Sequence, residues 1–328
     1  MLPIEMVNLI FNNGVSPKDR LSFLSTTTHF QEIKNHVLWH VRVKDMSKIQ
    51  HLPFFDQFTI FDLTNETCGK CPKHVSLLIV TKDIFVPKLK LHQEQTLPDL
   101  HTVLIEHHLF HKKINTVIRN RPTIHTLYVN LFGEFEHIEW PKNLVELHLL
   151  EGKRKKTQRI SKDVLPSTLQ KLVLYNYKNP IVSLPKNLTY LDLGQNYRAI
   201  INPGLLPKTL RYLKLGDRYN DYIFPGELPM GLEELVFGKE FDQHLEDGSI
   251  PSSVKKVTFG DSFNRTLYKE YLPEGVIFLK LGAKYGKFID EKTLPSTLKE
   301  LHVPMKYQHP IPNNHFEVVY YVVSEKEY

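Results

Sequence analysis

The chain of 328 residues is 41% hydrophobic and 24% charged, long enough for a large buried core or two domains and unlike the composition of a disordered protein. Its formal charge of +6 permits contact with acidic proteins or nucleic acid but selects neither, and reads as dispersed surface charge. With two cysteines, no apolar run long enough for a helical membrane span and no basic, cleavable start, it excludes a disulfide scaffold and points to a reducing compartment, the cytoplasm or the nucleus.

The first predicted element places Ile4, Val7 and Phe11 on one helical face and ends at Asn12, Asn13 and Gly14. Ser16-Pro17-Lys18-Asp19 starts a second helix, with a hydroxyl cap, Pro at the first position and an acid in the first turn; Leu21 and Leu24 follow at helical spacing. Phe30, Ile33 and Val37 mark a third helix that ends near Trp39. Three short helices bury little apolar surface by themselves, so the unit is expected to need a partner or a neighbour.

The ordered pieces Leu2-Pro3-Ile4-Glu5, Leu9-Ile10-Phe11, Ser16-Pro17-Lys18-Asp19-Arg20-Leu21 and Leu38-Trp39 resemble an F-box from end to end. Thr26, Thr27, Thr28 and His29 stand before Phe30 where many members have a Cys and a basic residue. The resemblance implies binding of a Skp-type adaptor and, through it, a cullin-based ubiquitin ligase. Carried over position by position, the adaptor-binding side chains are Leu2, Pro3, Ile10, Phe11, Leu21, Leu24, Leu38 and Trp39. The competing reading makes the same residues a small core packed on the first coil of a solenoid formed by the rest of the chain.

After a charged connection over residues 41–50, a proline-headed unit recurs at Pro53, Pro72, Pro98, Pro122, Pro141 and Pro166. Pro72 leads Val75, Leu78 and Val80; Pro141 leads Leu144, Leu147 and Leu149; Pro166 leads Leu169, Leu172 and Leu174. At Pro98 and Pro122 the same pattern starts one residue early, with Leu100, Val103 and Ile105, then Ile124, Leu127 and Val129. The uneven spacing predicts loop insertions between stacked coils.

These insertions hold the residues that most resemble chemistry. Cys68 and Cys71 have the spacing of a redox or zinc pair, and His74 is a candidate third ligand, but no second such pair exists and they read as two thiols in a loop. His107, His108 and His111 have helical ligand spacing without the HExxH motif and read as surface histidines. Lys153-Arg154-Lys155-Lys156 with Arg159 reads as a solvated loop, nucleic-acid contact or a localisation signal being the alternatives. No nucleotide loop or nucleophile elbow occurs, so neither an enzyme nor a cofactor is expected.

From Leu184 the unit becomes regular, with Pro185, Pro207, Pro229, Pro251, Pro273 and Pro295 each 22 residues apart, a solenoid period. Apolar residues stand three, six and eight positions after each proline, as in Leu210, Leu213 and Leu215, and the last two alternate as a half-buried strand does. Gly194, Gly216, Gly238, Gly260 and Gly282 close the strands where the chain must turn. An aromatic follows three residues later (Tyr197, Tyr219, Phe241, Phe263, Tyr285) and an aliphatic seven later, leaving a return path that suits extended or 3₁₀ segments.

The pattern LPxxLxxLxLG with an aromatic and Asn, seen in Tyr219-Asn220 and Phe263-Asn264, resembles the FNIP repeat, a relative of the leucine-rich repeat. The asparagine of the ordinary leucine-rich form is present only as Asn196, so packing by an aromatic spine is expected in place of an asparagine ladder. The run from Phe316 to Val323 is strongly strand-forming and is expected to pair with or cover the last coil.

The expected fold class is α+β: a small three-helix F-box at 1–45, a β-rich, leucine-rich-repeat-like solenoid with parallel strands at 46–304, and a cap and tail at 305–328. Strand alternation turns Tyr190 and Asp192, Tyr212 and Lys214, and Phe278 and Lys280 outward, as two rows for binding a target protein. The expected function is substrate recognition for a Skp, cullin and F-box type ubiquitin ligase. The alternatives are a scaffold without ubiquitination output and a nucleic-acid-associated repeat protein.

Overall fold

The computed structural model describes residues 60–62, 74–80, 100–105, 121–131, 139–151, 159–161, 164–312 and 315–322. The adaptor-binding positions Leu2, Pro3, Ile10, Phe11, Leu21, Leu24, Leu38 and Trp39 lie outside them, as do Cys68, Cys71, His107, His108, His111 and the 153–156 basic run. The helical part of the expected fold class therefore rests on residues outside the described ones. The described part is strands, turns and two 3₁₀ turns, at Lys269–Tyr271 and Glu291–Thr293.

The chain divides into two compact units, one comprising residues 1–130 with 137–144 and the other residues 131–136 with 145–328. In the first, β1 (Ile60–Asp62), β2 (Leu77–Val80), β3 (Thr102–Ile105) and β4 (Thr126–Leu131) pair in parallel, each with the next. The register aligns Leu78 with Val103 and Val103 with Leu127, so the early start at Pro98 and Pro122 is absorbed before the strand begins.

The second unit continues the same rule with β5 (Glu146–Glu151), β6 (Lys171–Leu174), β7 (Tyr190–Asp192), β8 (Tyr212–Lys214), β9 (Glu234–Val236), β10 (Lys256–Thr258), β11 (Phe278–Lys280), β12 (Glu300–Pro304) and β13 (Glu317–Tyr321). Each is parallel to its neighbours in chain order. One column of inward side chains, Leu172, Leu191, Leu213, Leu235, Val257, Leu279 and Leu301, is fully shielded from solvent. The strand-forming C-terminal run supplies β13, which extends the ladder past the last proline-headed coil.

Each coil enters its strand through a tight turn. The proline carbonyl accepts a hydrogen bond from the N–H three residues on, as at Leu210 to Pro207 and Leu232 to Pro229, both 3.0 Å. Proline suits this place because it presets one backbone angle and its missing N–H is not needed there.

The strand-closing glycines have a different cause from a special backbone angle. Only Gly194 among them has positive φ. At Gly216, Gly238, Gly260 and Gly282 the backbone of the preceding coil runs so close that a Cβ at Gly238 would sit 1.8 Å from the Gly216 carbonyl oxygen. Left-handed glycines occur instead in the return segments at Gly204, Gly226 and Gly248, with nothing within 4 Å of a Cβ at Gly226.

Behind the strands the expected aromatic spine is present. Tyr177, Tyr197, Tyr219, Phe241, Phe263, Tyr285 and Tyr307 are buried, and the rings of Phe241, Phe263, Tyr285 and Tyr307 follow one another at 6.1 to 6.2 Å. A polar ladder accompanies it one residue further on, contrary to the expectation that the spine would replace one. The Oδ1 of Asn220 accepts from the Asp242 N–H at 2.9 Å, that of Asp242 from Asn264 N–H at 2.9 Å, and that of Asn264 from Gly286 N–H at 3.0 Å. The asparagine after the aromatic therefore satisfies the backbone of the next coil.

Tyr177 accepts a hydrogen bond from the buried Ile160 N–H at 2.8 Å, whereas the buried Tyr197 and Tyr285 hydroxyls make no hydrogen bond among the described residues. Burial pushes the Tyr197, Tyr219 and Tyr285 phenols above their ordinary range near 10. The folded state thus prefers the neutral phenol, and its stability should hold below pH ~10 and fall as pH rises beyond it.

Chemical denaturation tests both the glycines and the tyrosines. Gly238→Ala should cost about 2–3 kcal/mol because a backbone carbonyl cannot give way, while Gly226→Asn should cost only a few tenths, about 0.3 kcal/mol, since asparagine tolerates the left-handed region. Tyr177→Phe should cost about 1–3 kcal/mol, while Tyr285→Phe should leave neutral-pH stability unchanged or raised and reduce the loss seen above pH ~10.

Candidate protein-binding face

The register that stacks the inward leucines also stacks the residues on either side of them. Tyr190 aligns with Tyr212, then Glu234, Lys256, Phe278 and Glu300, and a second row runs Asp192, Lys214, Val236, Thr258, Lys280 and His302. All six expected target-binding residues therefore stand on one face in two lines, each partly exposed.

Tyr190 and Tyr212 lie ring on ring, 4.1 Å between centroids and 1° from parallel. Burial, and then contact with Tyr190, push the Tyr212 phenol above its ordinary range. The Lys171 ammonium covers the Tyr190 ring at 5.0 Å and also pairs with Glu146 at 2.7 Å. Beside the tyrosines, Lys214 reaches Asp192 at 3.4 Å, and the other Asp192 oxygen accepts from the Gly194 N–H at 2.8 Å.

Phe278 packs against the His302 ring at 4.9 Å, and Lys280 lies 4.6 Å from the centre of the Tyr321 ring. Tyr321 comes from β13 and reaches back to donate its hydroxyl to the Leu281 carbonyl at 2.7 Å; burial pushes its phenol up to about 12. Thus Tyr190 joins Tyr212 and Asp192 joins Lys214, while Phe278 and Lys280 form a separate site three strands away.

Beyond these six residues the face includes Glu146, His148 and Lys171, which sit at the same offsets from Pro141 and Pro166 and were readable by extending the rule to the less regular units. His148 Nε2 meets Glu146 Oε1 at 2.7 Å and its Nδ1 lies 3.3 Å from the Tyr175 hydroxyl. Burial holds His148 below its ordinary range, with Glu146 acting against it. Burial pushes Glu146 the other way, but hydrogen bonds from Lys171 and His148 outweigh it and keep the carboxyl below its usual range. The other end of the face repeats the arrangement, with His302 against Glu300. Of the residues considered for metal or nucleic-acid contact, His74 and Arg159 are described, and both are exposed.

The model of the FNIP Repeat family matches residues 175–218, 219–262 and 263–303, each match spanning two coils of the regular array. That stretch consists of FNIP repeats. A solved structure, the crystal structure of CroV588 with its novel circular LRR fold, is similar to this chain with a TM-score of 0.62 at 22% identity, over 82% of this chain and 43% of that one. The likeness shows the fold, a leucine-rich-repeat-like solenoid of parallel strands; this chain spans less than half the length of that protein. No curated protein matches this chain.

Proposed function

We propose that the outward face of β6–β11 holds a target protein while residues 1–45 tether the chain, through a Skp-type adaptor, to a cullin-based ubiquitin ligase. The chain is then the substrate-recognition subunit, and it contributes proximity while other subunits supply the chemistry. The observation that carries the recognition half is the Tyr190–Tyr212 stack, a partly exposed aromatic shelf in the middle of a regular sheet face. Tyrosine supplies large contact area at interfaces, and repeat solenoids bind partners over such extended surfaces.

Support for the tether half is the order of the pieces Leu2-Pro3, Ile10-Phe11, Pro17-Lys18-Asp19 and Leu38-Trp39 in the sequence. The test is capture of adaptor and of target by three forms of the full chain. Leu2→Ala/Pro3→Ala should lose adaptor and keep target; Tyr190→Ala/Tyr212→Ala/Lys214→Glu should do the reverse. Adaptor retained by the first variant contradicts the tether, and target retained by the second contradicts the face. Adaptor bound without cullin recruitment would leave the scaffold reading.

A further inference from the structure

The C-terminal end of the ladder leaves its core open. β13 is the last strand in the order, and among the described residues nothing pairs with its far edge. Both inward columns run into this strand. The first passes from Leu301, fully shielded, to Val318, which is only half-buried; the second passes from Val303, also fully shielded, to Tyr320, which is 53% exposed. Val322 follows on the same side at 73% exposed. In the return path, Ile311 is half-buried where Ile289, one period earlier, is fully shielded.

The backbone hydrogen bonds define the edge. The Glu317 N–H donates to the Lys299 carbonyl at 2.8 Å, and the Tyr321 carbonyl accepts from the Met305 N–H at 2.9 Å, so residues 317, 319 and 321 turn their backbone groups toward β12. Alternation then turns the N–H and C=O of Val318, Tyr320 and Val322 into the open edge. Exposed edges are ordinarily blunted by a charge or a proline, and Val318-Val319-Tyr320-Tyr321-Val322 has neither. Unpaired backbone groups beside exposed apolar side chains make this an edge that another strand covers.

The strand that fits is β13 itself. Its edge-facing residues read Val, Tyr, Val, the same in both directions. Set antiparallel to a second copy about a two-fold axis at Tyr320, Val318 meets Val322 of that copy and Tyr320 meets its own counterpart. All three are hydrogen-bonded pairs, with about six N–H···O=C bonds among them. Valine pairs and a tyrosine pair are the cross-strand neighbours that stabilise a sheet, and no like charges are opposed. Both inward columns then continue into the second copy. A two-fold joint also uses up the open edge of each copy, whereas a head-to-tail joint leaves a new one and does not close.

We propose that β13 pairs with β13 of a second copy, antiparallel about Tyr320, and that the protein is a dimer with one sheet continuous across the joint. The axis stands perpendicular to that sheet, so the outward rows of both copies lie on the same side. The dimer therefore presents two target faces together, and a target carrying the recognised surface twice binds with avidity. The joint is made by an edge that the recognition reading does not use, so it stands or falls independently of that reading.

The experiment is sedimentation equilibrium on the full chain over a concentration series. The wild type should show twice the mass of one chain and no larger species. Tyr320→Lys, which brings two ammonium groups together at the axis, should weaken self-association on the order of 100-fold. Val182→Lys, at a valine of a return segment that is 60% exposed, should leave it unchanged. A second measurement fixes the register. In a Cys68→Ser/Cys71→Ser background, Tyr320→Cys should give a disulfide-linked dimer on mild oxidation, because directly paired Cα atoms ~5.5 Å apart are within disulfide reach. Val318→Cys and Val322→Cys should each stay unlinked alone, their own counterparts being about 14 Å away, and link when the two variants are mixed.

A wild type that is monomeric at every concentration, or that grows into a series of higher oligomers, overturns the proposal. So does a dimer that Tyr320→Lys leaves intact, one that Val182→Lys breaks as readily, or a dimer in which Tyr320→Cys does not link. A monomeric wild type whose Tyr320→Lys variant loses its target assigns the edge to a strand of another protein and overturns the second copy as its occupant.

Discussion

A three-residue strand cannot satisfy its own backbone, and the whole architecture depends on where those hydrogen bonds go. The N–H of Tyr212 reaches back to the Thr189 carbonyl at 3.0 Å, and the N–H of Leu215 reaches forward to the Val236 carbonyl at 2.8 Å, so every coil is held by the coil on each side. That pairing brings coils to strand spacing, and the other regularities are consequences. A glycine stands where two backbones come too close for a Cβ, flat rings stack behind the strands, and an asparagine or aspartate bonds an amide of the next coil.

The same register makes the outward face a periodic surface whose composition, position by position, is independent of the core. Leu213 is fixed by burial, whereas Tyr212 and Lys214 on either side of it vary from coil to coil as Glu234 with Val236, Lys256 with Thr258, and Phe278 with Lys280. Under the proposed function, recognition is written at two offsets of the repeat. At both ends of the rows the strand reads Glu-Leu-His, at 146–148 and 300–302, with the acid bound to the histidine across the buried leucine. These pairs hold their own polar groups.

Much of this was legible because each fact repeats at a fixed interval. The inward column, the aromatic spine from Tyr197 to Tyr285 and the two outward rows each need only the proline positions and the alternation of a strand. The asparagine ladder escaped because it sits two positions later than in the ordinary leucine-rich form, and its acceptor role appears only when the next coil is in place. A glycine that ends a strand reads as a turn residue, yet for Gly238, Gly260 and Gly282 the reason is the carbonyl of the glycine 22 residues back. Tyr321 escaped for another reason: it lies outside the repeat and reaches across β12 to Leu281, a contact no period encodes.

If the coils are held chiefly by their neighbours, damage must spread outward from its origin. Leu213→Ala empties a fully buried position and should cost about 2–5 kcal/mol. Hydrogen exchange on this variant, followed residue by residue, is the most direct test. Protection should drop most in the coils of Leu191, Leu213 and Leu235 and stay near wild type at β12 and β13. An equal loss along the whole ladder would contradict nearest-neighbour support.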